Sequence, residues 1–365
     1  MTSEPDARSM KRALRLALRG QGRTSPNPMV GAVIVKAGQL IGQGHHKQVG
    51  GPHAEIWALR QAGDKARGAT IYVTLEPCSH HGRTPPCTDA LIQAGLARVV
   101  GAVEDPNPQV SGKGFRMLQE AGIEIEVGLL ADEARRLNAP YFKHTTTGLP
   151  LVSLKAAMSL DGKIATATGE SRWITGDRAR ALGHRLRASH DAVLVGVGTV
   201  LADDPRLTVR DARGRSPLRV VVDSLARTAA DAAILTADRT PPVVAVTRQA
   251  PRKRLEALQR AGAEIWEMPS HRGQVDLHAL MKRLGERQVQ SVLVESGGTL
   301  TAALLDANLA DRVYFFVAPR LIGGAEAPSP VGGSGVAKLS EAWRLENVRV
   351  RRVGEDFLLS GDIAH

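Results

Sequence analysis

Between Asp6 and Arg19 the apolar residues Met10, Leu14 and Ala17 recur at helical spacing, which predicts an amphipathic helix near the start of the chain. Beyond the turn-forming Ser25-Pro26-Asn27-Pro28, the run Val30-Gly31-Ala32-Val33-Ile34-Val35 predicts a buried strand. Lys36-Ala37-Gly38-Gln39 predicts a hairpin turn into a second strand over Leu40–Gly44. The pattern then alternates. Helices are predicted over His53–Ala62, Thr88–Ala94 and Ser111–Ala121, and strands over Ala69–Leu75, Arg98–Val103 and Ile123–Val127. A hairpin followed by alternating helix and strand predicts a mixed α/β layer.

From Asn138 to Pro150 the alternation lapses into a polar stretch, Lys143-His144-Thr145-Thr146-Thr147-Gly148, and a domain boundary is placed there. This gives an N-terminal domain over 1–147 and a C-terminal domain over 148–365. Past the boundary, strand-like runs lie at Leu151–Ala156, Ala192–Val197, Leu218–Val222, Val243–Val246, Val289–Val294 and Val313–Val317. Helical segments at Arg178–Ser189, Arg252–Ala261, Leu277–Gly285 and Leu300–Leu309 fall among them. Continuous β-branched strands separated by helices predict a largely parallel sheet covered on both faces. Two domains also suit 365 residues, too many for one ordinary core.

Charge changes the picture less than its size suggests. The net charge is +11, which raises the question of nucleic acid. Before Gly148 there are 18 Lys and Arg against 13 Asp and Glu; after it, 30 against 24. The excess is spread evenly, without a basic arm, and aromatics are 3% of residues, too few for base-stacking platforms. Small phosphorylated ligands fit this surface better than nucleic acid. No apolar run approaches the ~18 residues of a membrane span, and the first residues lack a secretory pattern. A cytoplasmic protein is the expectation.

Candidate chemistry concentrates first at His53-Ala54-Glu55, Pro77-Cys78 and Cys87. The two cysteines are the only ones in the chain, and such a close pair in a protein without an export signal points to metal rather than a disulfide. One imidazole and two thiolates leave the fourth tetrahedral position of zinc open, as catalysis requires and a structural site does not. Glu55 is two residues from the histidine and suited to carry a proton from the attacking water to departing ammonia. His53 and Cys78 are both expected at helix N-termini, whose dipoles favour thiolate. The pattern H-x-E…P-C…C is the zinc-deaminase signature, but eight residues separate the cysteines here instead of two.

That longer loop, Pro77-Cys78-Ser79-His80-His81-Gly82-Arg83-Thr84-Pro85-Pro86-Cys87, closely resembles the bifunctional deaminase/reductase family of riboflavin biosynthesis. Ser25-Pro26-Asn27-Pro28-Met29-Val30-Gly31, Gly44-His45-His46 and Asp105-Pro106-Asn107-Pro108 match in order. The resemblance implies a cytidine-deaminase-like three-layer α/β/α domain that deaminates a phosphoribosylamino-pyrimidine. Asn27, His46, Arg83, Asp105 and Asn107 would then line the substrate site, with Arg83 suited to the ribose phosphate. His80 and His81 read equally well as solvated loop residues.

The C-terminal half has no G-x-G-x-x-G between strand and helix; Gly196-Val197-Gly198 lacks the third glycine. It does contain Val294-Glu295-Ser296-Gly297-Gly298-Thr299, a strand entering a Gly-Gly turn before a helix. Backbone amides at such a start form an anion site, although a tight turn alone also accounts for two glycines. Ser153–Ala165, Gly169–Thr175, Gly198–Pro205 and Leu293–Gly298 resemble the same family's reductase half, which implies a dihydrofolate-reductase-like α/β domain. NADPH contacts would come from Ala157, Trp173, Thr199, Asp203, Ser224, Gly297, Gly298 and Thr299. Substrate contacts would come from Ser171, Arg187, Leu207, Arg210 and Glu295, with Arg187 and Arg210 as phosphate clamps or, alternatively, solvated charges. Lys155 or Asp203 would supply the proton for sugar opening, although Asp203-Asp204 also reads as a helix cap. The resemblance further implies a homo-oligomer, dimer or tetramer. Two other readings fit the sequence less well. An RNA-editing deaminase leaves the reductase motifs unexplained, and a scaffold with structural zinc needs a fourth protein ligand, which only His80 or His81 offers.

Overall fold

A computed structural model describes residues 4–79 and 86–364, and the chain divides into two compact units, Met1–Gly148 and Leu149–His365. The first unit contains α1 (Glu4–Ala17), β1 (Gly31–Lys36), β2 (Gln39–His45), α2 (Ala54–Ala62), β3 (Thr70–Val73) and α3 (Cys87–Gln93). It continues through β4 (Arg98–Gly101), α4 (Lys113–Glu120), β5 (Glu124–Val127), α5 (Ala131–Leu137) and α6 (Ala139–Thr147). Its five strands are ordered β2-β1-β3-β4-β5. β1 pairs antiparallel with β2 and β3, and β3, β4 and β5 run parallel.

Strand alternation sends neighbouring residues to opposite faces. Ala32, Ile34, Ile71, Val73 and Val99 pack under α2, α3 and α4 through Ala58, Leu91, Phe115 and Leu118. Val33, Tyr72, Val100 and Ala102 pack on the other face against Met10, Leu14 and Ala134 of α1 and α5. The unit is therefore a three-layer α/β/α sandwich. The polar stretch after Asn138, expected to be irregular, is instead the helix α6, closed by Gly148 in the left-handed region at φ 72°. Its threonines bond back onto the helix: Thr146 and Thr147 hydroxyls donate to the Phe142 and Lys143 carbonyls at 2.9 and 2.7 Å. Local bonding of this kind satisfies residues whose propensity alone argues against a helix.

The second unit comprises β6 (Leu151–Ser159), α7 (Asp177–Ser189), β7 (Ala192–Gly196), α8 (Val197–Asp203), β8 (Leu218–Val222), α9 (Ala233–Thr236), β9 (Val243–Val246) and α10 (Arg252–Arg260). Then follow β10 (Glu264–Glu267), β11 (Ser270–His271), β12 (Gln274–Val275), α11 (Leu277–Glu286), β13 (Ser291–Val294), α12 (Gly298–Asp306), β14 (Arg312–Ala318), β15 (Leu345–Val353) and β16 (Asp356–Ile363). Nine strands form one sheet in the order β10-β9-β8-β7-β13-β6-β14-β16-β15. All pairings from β10 to β14 are parallel, and β16 joins antiparallel between β14 and β15. The β15–β16 hairpin was not apparent in the sequence. β15 is exposed along its length and carries Arg349, Arg351 and Arg352, so no apolar alternation marks it. The Val152/Leu194/Val292 face packs on α11 and α12, and the Val193/Val221/Val244 face packs on α8, α9 and α10.

Candidate active sites

In the first unit, backbone packing sets the metal donors. Gly42 and Gly44 of β2 face α2: a Cβ on either would lie 2.3 Å from the carbonyl oxygen of Ala58 or Ala54. Only glycine lets the helix approach this closely, and Ala54, Ala58 and Ala62 complete the small-residue contact. His53 is the N-cap of α2. β3 delivers Cys78 beyond its C-terminal end, and Cys87 is the first residue of α3.

The three donors converge. His53 Nδ1 is 3.3 Å from Cys87 Sγ and 3.5 Å from Cys78 Sγ, and all three ligand atoms lie within 4.8 Å of one another. One expectation needs correcting: Cys78 does not begin a helix. Its sulfur instead accepts the amide of Cys87, at 3.3 Å, so it draws on the start of α3 from outside. Hydrogen bonding from the Cys87 thiol and from His53 outweighs burial and pulls the Cys78 thiol down to about 4. Cys87 is pushed up by its bond to Cys78, by burial and by nearby negative charge. The Cys78 bond raises His53. An imidazole with two thiols sharing protons this closely is a donor set that fits a zinc ion.

Glu55 is 3% exposed, and its Oε2 has no hydrogen-bond partner among the described residues. Burial raises its carboxyl above the ordinary value, against the lowering influence of His53. An orphaned buried oxygen beside a metal donor set fits a proton carrier better than a structural ligand. His46 stands next to the donors, its ring centroid 5.3 Å from that of His53. Its Nε2 is 3.2 Å from Asn27 Nδ2, and its Nδ1 is 3.2 Å from the Pro52 carbonyl. Burial first, then neighbouring histidines, lowers its pKa, so the neutral ring accepts from Asn27 and donates to Pro52.

Asp105 and Asn107 follow the C-terminal end of β4, beside the end of β3 that supplies Cys78. Asp105 accepts the Tyr141 hydroxyl at 2.9 Å and the Asn107 amide at 2.8 Å. Arg83, His80 and His81 lie outside the described residues. Sequence reading missed Glu76, whose buried carboxylate binds three backbone amides around Asp105. It also missed Asn138, which holds the backbone of Met29 through both side-chain atoms, at 2.8 and 2.9 Å. A charged residue between a buried strand and a metal ligand was the available signal for Glu76. Asn138 gave none, since its partner is 109 residues away.

In the second unit the candidates gather at the C-terminal ends of adjacent parallel strands, where open α/β sheets bind ligands. Lys155 on β6 places Nζ 3.1 Å from Glu295 Oε2, at the end of β13. Arg187 on α7 grips the same carboxylate through Nε and through Nη2, the latter at 3.0 Å, and donates Nη1 to the Thr208 carbonyl at 3.1 Å. Burial pushes the Glu295 carboxyl up, but the two cations outweigh it and hold it well below the usual carboxylate range. Ser171 donates to Asp203 Oδ1 at 3.0 Å. Asp203 is the last residue of α8 and Asp204, at φ 41°, is its C-cap; Asp204 Oδ1 also accepts the Ala233 amide at the start of α9, at 2.7 Å, so the helix-cap reading holds for Asp204.

The Gly297-Gly298 turn starts α12. Gly297 donates its amide to Thr199 Oγ1 at 3.1 Å, and a Cβ at Gly298 would meet Gly332 N and Ser329 O at 2.7 Å each. Ala157 is half-buried on β6, and Thr299 is exposed beside the turn. Trp173 is 61% exposed, with the Arg180 guanidinium 4.6 Å from its ring centroid. Ser224 is tied to Gln274 Oε1 at 2.9 Å and to the Val275 amide at 3.1 Å. The Leu207 side chain is buried in the core, and its backbone adopts φ 53°. Arg210 is exposed, and its backbone amide donates to His184 Nδ1 at 3.2 Å.

The two folds and the His-Cys-Cys donor set define a zinc-dependent deaminase joined to a reductase. Residues 3–103 match the cytidine and deoxycytidylate deaminase zinc-binding region, and residues 150–359 match the RibD C-terminal domain. The riboflavin biosynthesis protein RibD of Escherichia coli is 45% identical over 96% of this chain and 97% of its own; that of Aquifex aeolicus is 42% identical over 98% and 99%. The structure of Acinetobacter baumannii RibD superposes with a TM-score of 0.88 at 41% identity, covering 99% of both chains. The Thermotoga maritima diaminohydroxyphosphoribosylaminopyrimidine deaminase/5-amino-6-(5-phosphoribosylamino)uracil reductase gives 0.85 at 36% identity, again over 99% of each. The chain belongs to the RibD family, the bifunctional deaminase/reductases of riboflavin biosynthesis. It is an enzyme with a zinc-binding deaminase domain and a reductase domain of an NADPH-dependent family. Among the described residues no helix is long and apolar enough to cross a membrane.

Proposed function

We propose that Met1–Gly148 catalyses hydrolytic deamination of 2,5-diamino-6-(5-phosphoribosylamino)pyrimidin-4-one, and that Leu149–His365 then reduces the product's ribosyl group to ribityl. The observation that carries the first assignment is the convergence of His53, Cys78 and Cys87 beside a buried Glu55 oxygen that has no partner among the described residues. Zinc held there supplies a Lewis acid that makes water nucleophilic at neutral pH. Glu55 takes the proton from that water and delivers it to the amino group that leaves as ammonia. Asn27 and the neutral His46, with Arg83, Asp105 and Asn107, hold the pyrimidine and its phosphate.

For the second step, Ser171, Arg187, Leu207, Arg210 and Glu295 face the substrate. The NADPH contacts are Ala157, Trp173, Thr199, Asp203, Ser224 and the Gly297-Gly298-Thr299 turn, whose helix-start amides suit a phosphate. NADPH held there would supply a hydride for C1 of the ribosylamino group, and the ring oxygen freed as the C1–oxygen bond opens would need a proton from the protein. Lys155 is our assignment for the proton donor over Asp203. Its Nζ lies 3.1 Å from Glu295, among the residues assigned to the substrate, whereas Asp203 Oδ1 is engaged by the Ser171 hydroxyl at 3.0 Å. Family resemblance supports a cytoplasmic homo-oligomer, dimer or tetramer, which sedimentation would test.

The test is to incubate the purified protein with the phosphoribosylamino-pyrimidine, with and without NADPH, and to identify both products. Ammonia should appear without NADPH, and the ribityl product only with it. Ammonia release that requires NADPH, or none at all, would overturn the scheme.

A further inference from the structure

Glu76 lies three residues beyond the end of β3, two residues before Cys78, and is 4% exposed. Its Oε2 accepts the backbone amides of Asp105 at 3.1 Å and Gly112 at 2.9 Å, and its Oε1 accepts that of Gly114 at 2.8 Å. Its own amide donates to the Val103 carbonyl at 3.0 Å, which joins the ends of β3 and β4. The next residue adds a steric lock: a Cβ on Gly114 would lie 2.1 Å from the Pro77 carbonyl oxygen. The start of α4 is thus pressed against the strand end that delivers Cys78.

Three backbone donors converging on one buried carboxylate form an anchor stronger than neutral bonds of the same number. The segment it holds, from Asp105 to Gly112, has no regular secondary structure to fix it. Within that segment Asp105 Oδ1 accepts the Asn107 amide and Asn107 Oδ1 accepts the Gln109 amide, at 2.8 and 3.0 Å. Each step passes the position of Glu76 along to the next side chain. We propose that Glu76 is a positioning residue for deamination, holding Asp105 and Asn107 in register with the His53-Cys78-Cys87 donor set. This rests on Asp105 and Asn107 as substrate contacts. Among the described residues, the side-chain hydrogen bonds of Glu76 go to backbone amides.

The test uses the full-length zinc enzyme carrying Glu76→Gln, which keeps the shape but replaces one acceptor oxygen with a donor. Four readouts are needed: deaminase kcat and KM, zinc content, NADPH-dependent reductase activity, and amide hydrogen exchange. Deaminase KM should rise roughly tenfold or more with kcat within about threefold, since ångström-scale misplacement costs up to ~10²-fold. Zinc content and reductase activity should be unchanged. Exchange should quicken at Asp105, Gly112 and Gly114 but not in β3 or β4. Loss of zinc, exchange quickened throughout the unit, or unchanged exchange at the three amides would each overturn the inference. Asn107→Ala separates it from the reading beneath it. If Asn107→Ala leaves KM unchanged, the substrate-contact reading fails; if it raises KM while Glu76→Gln does not, the anchoring inference fails.

Discussion

Cys87 begins a helix and turns its backbone amide onto the sulfur of Cys78, 3.3 Å away. This arrangement stabilises one thiolate and opposes a second, because the bond to Cys78, burial and nearby negative charge all push the Cys87 thiol up. A divalent cation removes that conflict by neutralising both sulfurs. Chelation should therefore abolish ammonia release, and added zinc should restore it, while NADPH oxidation with the deaminated substrate continues throughout. Cys87→Ser should weaken zinc binding by more than the ~10–100-fold typical of losing a residue that only supports a ligand. Metal analysis after dialysis checks this.

Glu55→Gln removes the proton carrier while leaving the donors in place. The amide keeps the volume of the buried carboxyl and adds no charge, so the fold and the zinc should survive. Deaminase kcat should fall by roughly 10²–10⁴-fold, the usual worth of a positioned acid–base group. Reduction of the deaminated substrate should proceed at the normal rate. A variant that binds zinc normally and still releases ammonia would remove Glu55 from the mechanism.

The convergence of His53, Cys78 and Cys87 was legible in the chain from the H-x-E and Pro-Cys motifs, and the strand-helix alternation marked most of the strands and the parallel run of the second sheet. What stayed hidden depends on long-range contact. Glu295 binds Arg187 across 108 positions and Lys155 across 140, pairings that no periodicity encodes. α6 reads as a loop because its threonines satisfy the helix only through side-chain bonds to carbonyls one turn back. β15 was missed because an exposed edge strand has no apolar face to reveal it. The cysteine assignment went half astray for a related reason. Proline before Cys78 looks like a helix start, yet the helix begins nine residues later at Cys87.

Gly44→Val tests whether backbone closeness, rather than the donors alone, sets the metal site. The new Cβ would lie 2.3 Å from Ala54 O and 2.9 Å from Ala58 N, both backbone atoms that cannot swing aside. Overpacking of this kind costs about 1–3 kcal/mol, and rigid contacts place it at the upper end. α2 must shift, and His53 shifts with it. Zinc affinity and deaminase activity should fall together, while reductase activity in the same preparation stays normal. Retained zinc affinity in a folded variant would show that α2 can move without taking His53 along.

Glu295→Gln should destabilise the second unit and flatten its response to acid. The carboxylate is held between Arg187 and Lys155, with side-chain exposures of 8%, 15% and 18%. Removing the anion leaves two buried cations unpaired, a loss of about 3 kcal/mol, the low end of the range because both cations retain some contact with water. The sign of the pH effect follows from the direction of the shift. Burial raises the Glu295 pKa, but Arg187 and Lys155 depress it further, so the folded value lies well below the ordinary 4.5. The unfolded chain thus binds its proton first as pH falls. The contribution is fully present above about pH 4.5 and is lost as acid approaches the folded value. Denaturant titrations of wild type from pH 7 to pH 3 should show stability falling below about 4.5, and the Gln variant should lack that part of the slope. Equal slopes for the two proteins would mean that Glu295 does not carry the charge that holds Lys155 and Arg187 together.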